Sequence, residues 1–183
     1  MFADLKNQPT TDEFLLYGIA SAQEGSFLEL YQRYNRSVYS LAKRILRTTA
    51  DAEEVTQDVF VKIWDKALEY APHKGKVSTW ILTIAHHSAI DALRKRNSRA
   101  SLPMFEEELE RIPQTTQTDL LEQNMIQNAL AKLEPQEQMC IELAYFEGLS
   151  HAQLASRTEL PLGTIKTRIR QGLAKLKTAL GDW

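Results

Sequence analysis

Cysteine is nearly absent from this 183-residue chain: Cys140 stands alone, which rules out an internal disulfide and a cysteine-built structural zinc site. Its neighbours Met139 and Ile141 mark it as a small core residue rather than a redox centre. Glycine and proline are scarce, at seven and six residues, which argues against a low-complexity chain; with 43% apolar and 25% charged residues the sequence has the makings of a folded one. No apolar run approaches the roughly 20 residues that cross a bilayer. Residues 1–20 lack a basic head and a long apolar core, because Asp4, Lys6, Asp12 and Glu13 interrupt them. A signal peptide is therefore not expected, nor membrane insertion, and a cytoplasmic location is. Also missing are a phosphate-cradling glycine loop, a serine elbow, zinc-site spacing and a paired-carboxylate arrangement. No catalytic residue, metal or cofactor is expected, and the chain does not read as an enzyme.

What is present is charge, unevenly placed. The net charge of −2 conceals two basic stretches. From Lys74 to Arg99 six bases face the single acid Asp91, and from Gly163 to Leu180 five bases (Lys166, Arg168, Arg170, Lys175, Lys177) face no acid. Acidic sequence lies between the two.

Apolar spacing predicts helices throughout, hence an all-α chain rich in good helix formers. Phe27, Leu30, Tyr31, Tyr34, Val38, Leu41, Ala42 and Ile45 form one helical face. Asp51 is expected to cap a second helix with Ala52, Val55, Val59, Phe60, Ile63 and Trp64 inside, and with Glu53, Glu54 and Asp58 early, where the helix dipole favours them. A loop at 70–76, with Pro72 and Gly75, precedes a third helix capped by Ser78 or Thr79. That helix would bury Trp80, Ile81, Ile84, Ala85 and Ala92, and would carry Arg94, Lys95 and Arg96 at its C-terminal end. Three such stripes can bury one another as a bundle.

Periodicity fails from Asn97 to Asp119, where Pro103, Pro113 and the acids Glu106, Glu107, Glu108 and Glu110 read as an interdomain linker; a short helix within 104–111 is compatible with it. The expected division is 10–97, a linker at 98–119, and a second domain at 120–183. Helical spacing resumes at Leu120 and continues through Leu121, Met125, Ala129, Leu130 and Leu133 until Pro135, which opens the next helix. That helix is expected over 136–147, with Gly148 as its left-handed C-cap.

Ser150 and Gln153 form a capping box, so a short helix begins there and stops before Pro161. Gly163-Thr164 then open an amphipathic helix with Ile165, Ile169, Leu173, Leu176 and Leu180 inside. Small Ala155 at the crossing, with Leu160 and Ile165 in a shared core, matches a helix-turn-helix. The outward donors Lys166, Thr167, Arg168, Arg170 and Gln171 suit base edges and phosphates in a major groove, while Lys175 and Lys177, further along, suit the backbone.

With these pieces together, the chain resembles the extracytoplasmic-function sigma factors, from about Phe14 to Leu180. The most specific stretches are the run from Asp51 to Phe60 with Trp64, then Thr79-Trp80-Ile81 through Ile84-Ala85, the run from Ala89 to Arg96, and Gly163 to Arg168. The resemblance implies that the first domain docks on the clamp helices of the largest subunit of core RNA polymerase through Glu53, Glu54, Gln57 and Asp58. It implies that the same domain holds the melted downstream promoter element. Lys74, Lys76, Ser78 and Thr79 would lie at the base pocket and Arg94, Lys95 and Arg96 on phosphates. Trp80 is open between core and stacking wedge. His87, where the family often has Asn, leaves its base contact open, and the adjacent pair His86–His87 points in different directions on a helix, unsuited to one metal ion.

The second domain would read the upstream promoter element as duplex DNA with Lys166, Thr167, Arg168, Arg170, Gln171 and Lys175. Polymerase contacts would include the flap, and an anti-sigma protein is the expected silencing partner. The acidic linker would thread the polymerase's nucleic-acid channel, carboxylates standing where phosphates later go. A rival reading is a two-domain helix-turn-helix regulator that binds duplex DNA without being a polymerase subunit. A helical adaptor that binds protein alone is a further class, and it would leave both basic faces idle.

Overall fold

The computed structural model describes residues 10–99, 129 and 131–180. The chain divides into two units, Met1–Met104 and Phe105–Trp183. Every regular element among the described residues is helical: α1 (Asp12–Ala20), α2 (Glu24–Leu46), α3 (Thr49–Lys66), α4 (Val77–Arg99), α5 (Pro135–Tyr145), α6 (His151–Thr158) and α7 (Leu162–Leu180), with single 3-10 turns at Ala67–Glu69 and Pro72–Lys74. The expected acidic linker, the short helix within 104–111 and all of the helix expected from Leu120 except its end lie outside the described residues. Of that end, Ala129 and Leu133 are buried.

The first unit is a bundle in which α2, α3 and α4 pack pairwise and α1 lies on α2. Aliphatic stripes close its centre: Leu30, Val38, Ala42, Ile45 and Leu46 of α2, Ala52, Val55, Val59 and Ile63 of α3, and Val77, Ile81, Ala85, Ala89 and Leu93 of α4. Each contributes burial at about 25 cal/mol per Å² of apolar surface. Helix α1 was not foreseen. Thr11 caps it by accepting the Phe14 amide at 3.3 Å, and Leu15, Leu16 and Ile19 are buried. It meets α2 through a tight turn: a Cβ on Gly18 would sit 2.1 Å from Ser26 Oγ, and Ala22 has φ +57°. Arg33 donates to Asp12 at 2.7 Å and the Tyr34 hydroxyl donates to the same carboxylate. Burial, then Asp12, raises the Tyr34 phenol.

Several edges differ from expectation. α3 starts at Thr49, with Thr48 at the N-cap, so Asp51 is a first-turn residue and not the cap. α4 starts at Val77, before Ser78 and Thr79. The aromatic ends are less enclosed than the aliphatic middle: Trp64 is 37% exposed and Tyr31 38%. They cluster with Phe27 and Phe60, Trp64 edge-on to Phe27 with centroids 5.3 Å apart, because bulky rings at a bundle's end find partners on one side only.

In the second unit Pro135 opens α5, and Glu137, three residues after the cap, accepts the Glu134 amide at 3.1 Å. α5 ends at Tyr145, short of the expected Glu147, and Gly148, at φ +67°, turns the chain. Ser150 and Gln153 form the expected reciprocal cap of α6. Cys140, Leu154, Ile165 and Ile169 make the core, with Met139, Leu143, Leu149, Ala155 and Leu160 around it. Leu173, expected inside, is 37% exposed. Its neighbour Gly172 faces α5: a Cβ there would be 2.6 Å from Ile141 Cδ1, so α5 and α7 cross closely at this glycine.

Candidate nucleic-acid interface

α6 and α7 form the helix-turn-helix, joined through Glu159 at φ +57° and Pro161. Burial of Ile165 and Ile169 on one side of α7 turns Lys166, Thr167, Arg170 and Gln171 to solvent. These four share the N-terminal half of the helix, as a groove-reading helix requires. Thr167 spends its hydroxyl proton on the Gly163 carbonyl at 2.9 Å, which leaves its oxygen as an acceptor.

Two other α7 cations expected on DNA lie against the domain itself. Arg168 is half-buried, one residue short of Ile169, and its Nη1 is enclosed without a hydrogen-bond partner. It lines a crevice of about 620 Å³ with Gln136, Met139, Leu143, Arg157, Thr158 and Leu160, the last four from α5, α6 and the turn. The Cys140 thiol lies beside it, raised by burial and partly offset by the guanidinium. Lys175 is the second. Its Nζ donates to both oxygens of the buried Glu137 carboxylate, at 2.9 and 2.8 Å. That carboxyl is held below its ordinary range, first by the hydrogen bonds from Lys175.

In the first unit, Lys74 and Lys76 are exposed around the turn before α4. Gly75 takes φ +149° there, and the Tyr70 hydroxyl donates to its carbonyl at 3.0 Å. Trp80 is half-buried and edge-on to Tyr70, centroids 5.8 Å apart, which answers neither core nor wedge alone. Thr79 and His87 are exposed, and Ser78 is half-buried. Burial raises the Tyr70 phenol, with Glu13 and Asp12 adding to it. Among the described residues no group of three metal-ligating side chains occurs.

At the far end of α4, Arg94 and Lys95 are exposed, while Arg96, expected with them on phosphates, is half-buried. Its Nη1 donates to the Leu46 carbonyl at the end of α2 and to Asp51 Oδ2 at the start of α3, both at 2.9 Å. One guanidinium thus closes two helix ends. Glu53, Glu54, Gln57 and Asp58 are all exposed on α3. Glu54 and Asp58 border a groove of about 570 Å³ between α3 and α4, whose rim also carries Lys62, Asp91 and Lys95. Polar spacing alone missed the apolar part of this surface: Val61 is 59% exposed, beside the acids on the same helix. An apolar residue interrupting the polar face was the available signal.

A helical bundle followed by a helix-turn-helix with a basic outer face has the make-up of a DNA-binding protein. The chain matches the family described as Sigma-70 region 2 over residues 30–99 and that described as Sigma-70, region 4 over residues 123–176. It is 33% identical over 179 residues to the ECF RNA polymerase sigma factor SigK of Mycobacterium sp. (strain JLS), covering 94% of this chain and 92% of the relative. The SigK of Mycolicibacterium vanbaalenii is 34% identical over 173 residues, 91% and 88% of the two chains. Among solved structures, Rhodobacter sphaeroides SigE in complex with the anti-sigma ChrR is similar, at 34% identity, 93% and 99% coverage and a TM-score of 0.48. The chain belongs to the ECF RNA polymerase sigma factors. The region 2 match sets aside the free-standing regulator, since it fills residues where a receiver or ligand domain would have to stand. The protein is a sigma factor acting with RNA polymerase.

Proposed function

We propose that the first domain, 10–97, docks this sigma factor on core polymerase and holds the opened downstream element, while the second, 120–183, reads the upstream element as duplex. The observation that carries this reading is the outer face of α7. Lys166, Thr167, Arg170 and Gln171 are exposed together on a helix without a single acid, braced from behind by α6 and its turn. A helix so braced enters a major groove with its side chains already in place, and each good base contact discriminates by about 1–3 kcal/mol.

In the first domain, Glu53, Glu54, Gln57 and Asp58 present a polar, largely acidic face for a basic partner, and exposed Val61, one turn further along α3, adds apolar contact at its edge. Opening DNA costs a few kcal/mol per unstacked base, so the strand must be held as it separates. Lys74, Lys76, Ser78 and Thr79 stand at the loop and helix start, with Trp80 and Tyr70 as flat surfaces beside them and His87 two turns on. Arg94 and Lys95 extend the basic track. The acidic linker occupies the polymerase channel until RNA displaces it. Bond making stays with the polymerase, and the protein works in the cytoplasm beside it. An anti-sigma partner is also proposed, in line with the complex in which the similar SigE is found.

Alanine replacement of Lys166 and Arg170 tests the assignment. Run-off transcription from the cognate promoter should be lost while binding to core polymerase is kept. Full promoter-specific transcription from the double variant would overturn the assignment of α7.

A further inference from the structure

We propose that Lys175 and Glu137 form a strut that sets the tilt of α7, so that Lys175 serves promoter recognition through Glu137 and not by gripping a phosphate. The inference rests on the reading of α7 as the recognition helix.

Glu137 is a fixed post. It is 6% exposed, and its Oε2 is already held by the Glu134 amide at the start of its own helix. Lys175 reaches it from α7, across 38 residues of sequence, and donates to both carboxylate oxygens. An enclosed carboxylate is costly without a counter-charge, so the ammonium is retained there, and a DNA phosphate could draw it away only by leaving Glu137 unpaired. The same hydrogen bonds hold its carboxyl below the ordinary range.

Geometry gives the pair leverage. Gly172, one turn before Lys175, is the point where α7 presses on α5, its Cβ position 2.6 Å from Ile141 Cδ1 and 3.4 Å from Glu137 Cβ. Contact at Gly172 is a pivot, and the ion pair one turn beyond it fixes the angle about that pivot. Lys166 lies six residues before Gly172, about 9 Å along the axis at roughly 1.5 Å per residue. A tilt of about 10° would carry it by about 1.5 Å, enough to turn a good hydrogen bond into none.

The test uses holoenzyme assembled from core polymerase and the full chain, with promoter affinity measured across a salt series well below the unfolding temperature. Lys175→Gln and Glu137→Gln should weaken binding by the same factor, about tenfold, and should change the relative use of promoters whose upstream element is displaced by one base pair. Loss of stability alone would depress all of these promoters equally and would overturn the strut. Lys175→Arg, which can still reach Glu137, should retain both affinity and preference. The decisive reading is the salt slope. It should be unchanged in Lys175→Gln, whereas loss of a phosphate contact lowers it by about one, and that result would also overturn the proposal. Glu137→Gln is exposed to folding failure, but the slope of Lys175→Gln decides without it. Lys166→Ala and Arg170→Ala are measured alongside. If they leave binding and slope intact, the recognition-helix reading falls and takes the strut with it; if they reduce both, a failed Lys175 test counts against the strut alone.

Discussion

Both domains tie one cation from their last described helix to a carboxylate in the first turn of an earlier one, but they enclose opposite partners. In the first, the Arg96 side chain is 25% exposed and Asp51 39%; in the second, Lys175 is 45% exposed and Glu137 only 7%. Arg96 also has the Leu46 carbonyl, so it keeps a partner if Asp51 is lost. Glu137 has only a backbone amide in reserve. A basic residue at the end of a basic run is therefore no guide to what it binds. Position on the helix decides: Lys166 and Arg170 face away from the core, while Arg96 and Lys175 face a neighbouring helix end.

The distinction between outward and tied cations can be broken most sharply by comparing their losses. Removing the outward pair, Lys166→Ala with Arg170→Ala, should lower promoter-specific transcription on the order of 100-fold, two base contacts of about 1–3 kcal/mol each, with the melting temperature unmoved. Thermal unfolding beside run-off transcription checks both halves. Arg96→Ala should do the reverse, costing the first domain about 2 kcal/mol for a charge-assisted bond and a helix-end contact, as read by denaturant unfolding. If it lowered DNA affinity with stability intact, Arg96 would belong with the outward group.

How far the sequence showed this depends on the kind of signal. α3, α4 and the helix-turn-helix were legible because aliphatic residues recur at helical spacing and Ser150 with Gln153 announces its own cap. α1 escaped. The helix is only nine residues long, and the turn after it uses Ala22 in a left-handed conformation, with no glycine or proline to mark it. Asp51 resembled a cap because an acid before an apolar stripe usually is one, yet its carboxylate serves Arg96, 45 residues on. Pairings at such separations, like Lys175 with Glu137, leave no trace in periodicity. Arg168 reads as outward from the sequence because its neighbours do, although it lies next to Ile169 on the edge of the buried face.

Smaller effects sharpen the same contrast. Gly172→Ala should destabilise the second domain by about 1 kcal/mol, since overpacking against Ile141 outweighs the roughly 1 kcal/mol that alanine gains in helix propensity. Its unfolding midpoint in denaturant checks this. The last expectation concerns acid. A carboxyl whose folded value is depressed contributes stability that is present above its unfolded value, about 4.3, and lost as pH falls through the folded value. Glu137 is such a group, so Lys175→Gln, which removes the cause of the depression, should move the acid unfolding of the second domain to higher pH, followed by circular dichroism.

Selection of active promoters from a randomised library by the holoenzyme tests the central claim most directly. Wild-type protein should yield two preferred elements, and the Lys166→Ala, Arg170→Ala variant should keep the downstream preference while losing the upstream one. A variant that kept both, or lost both together, would contradict the division of labour between the two domains.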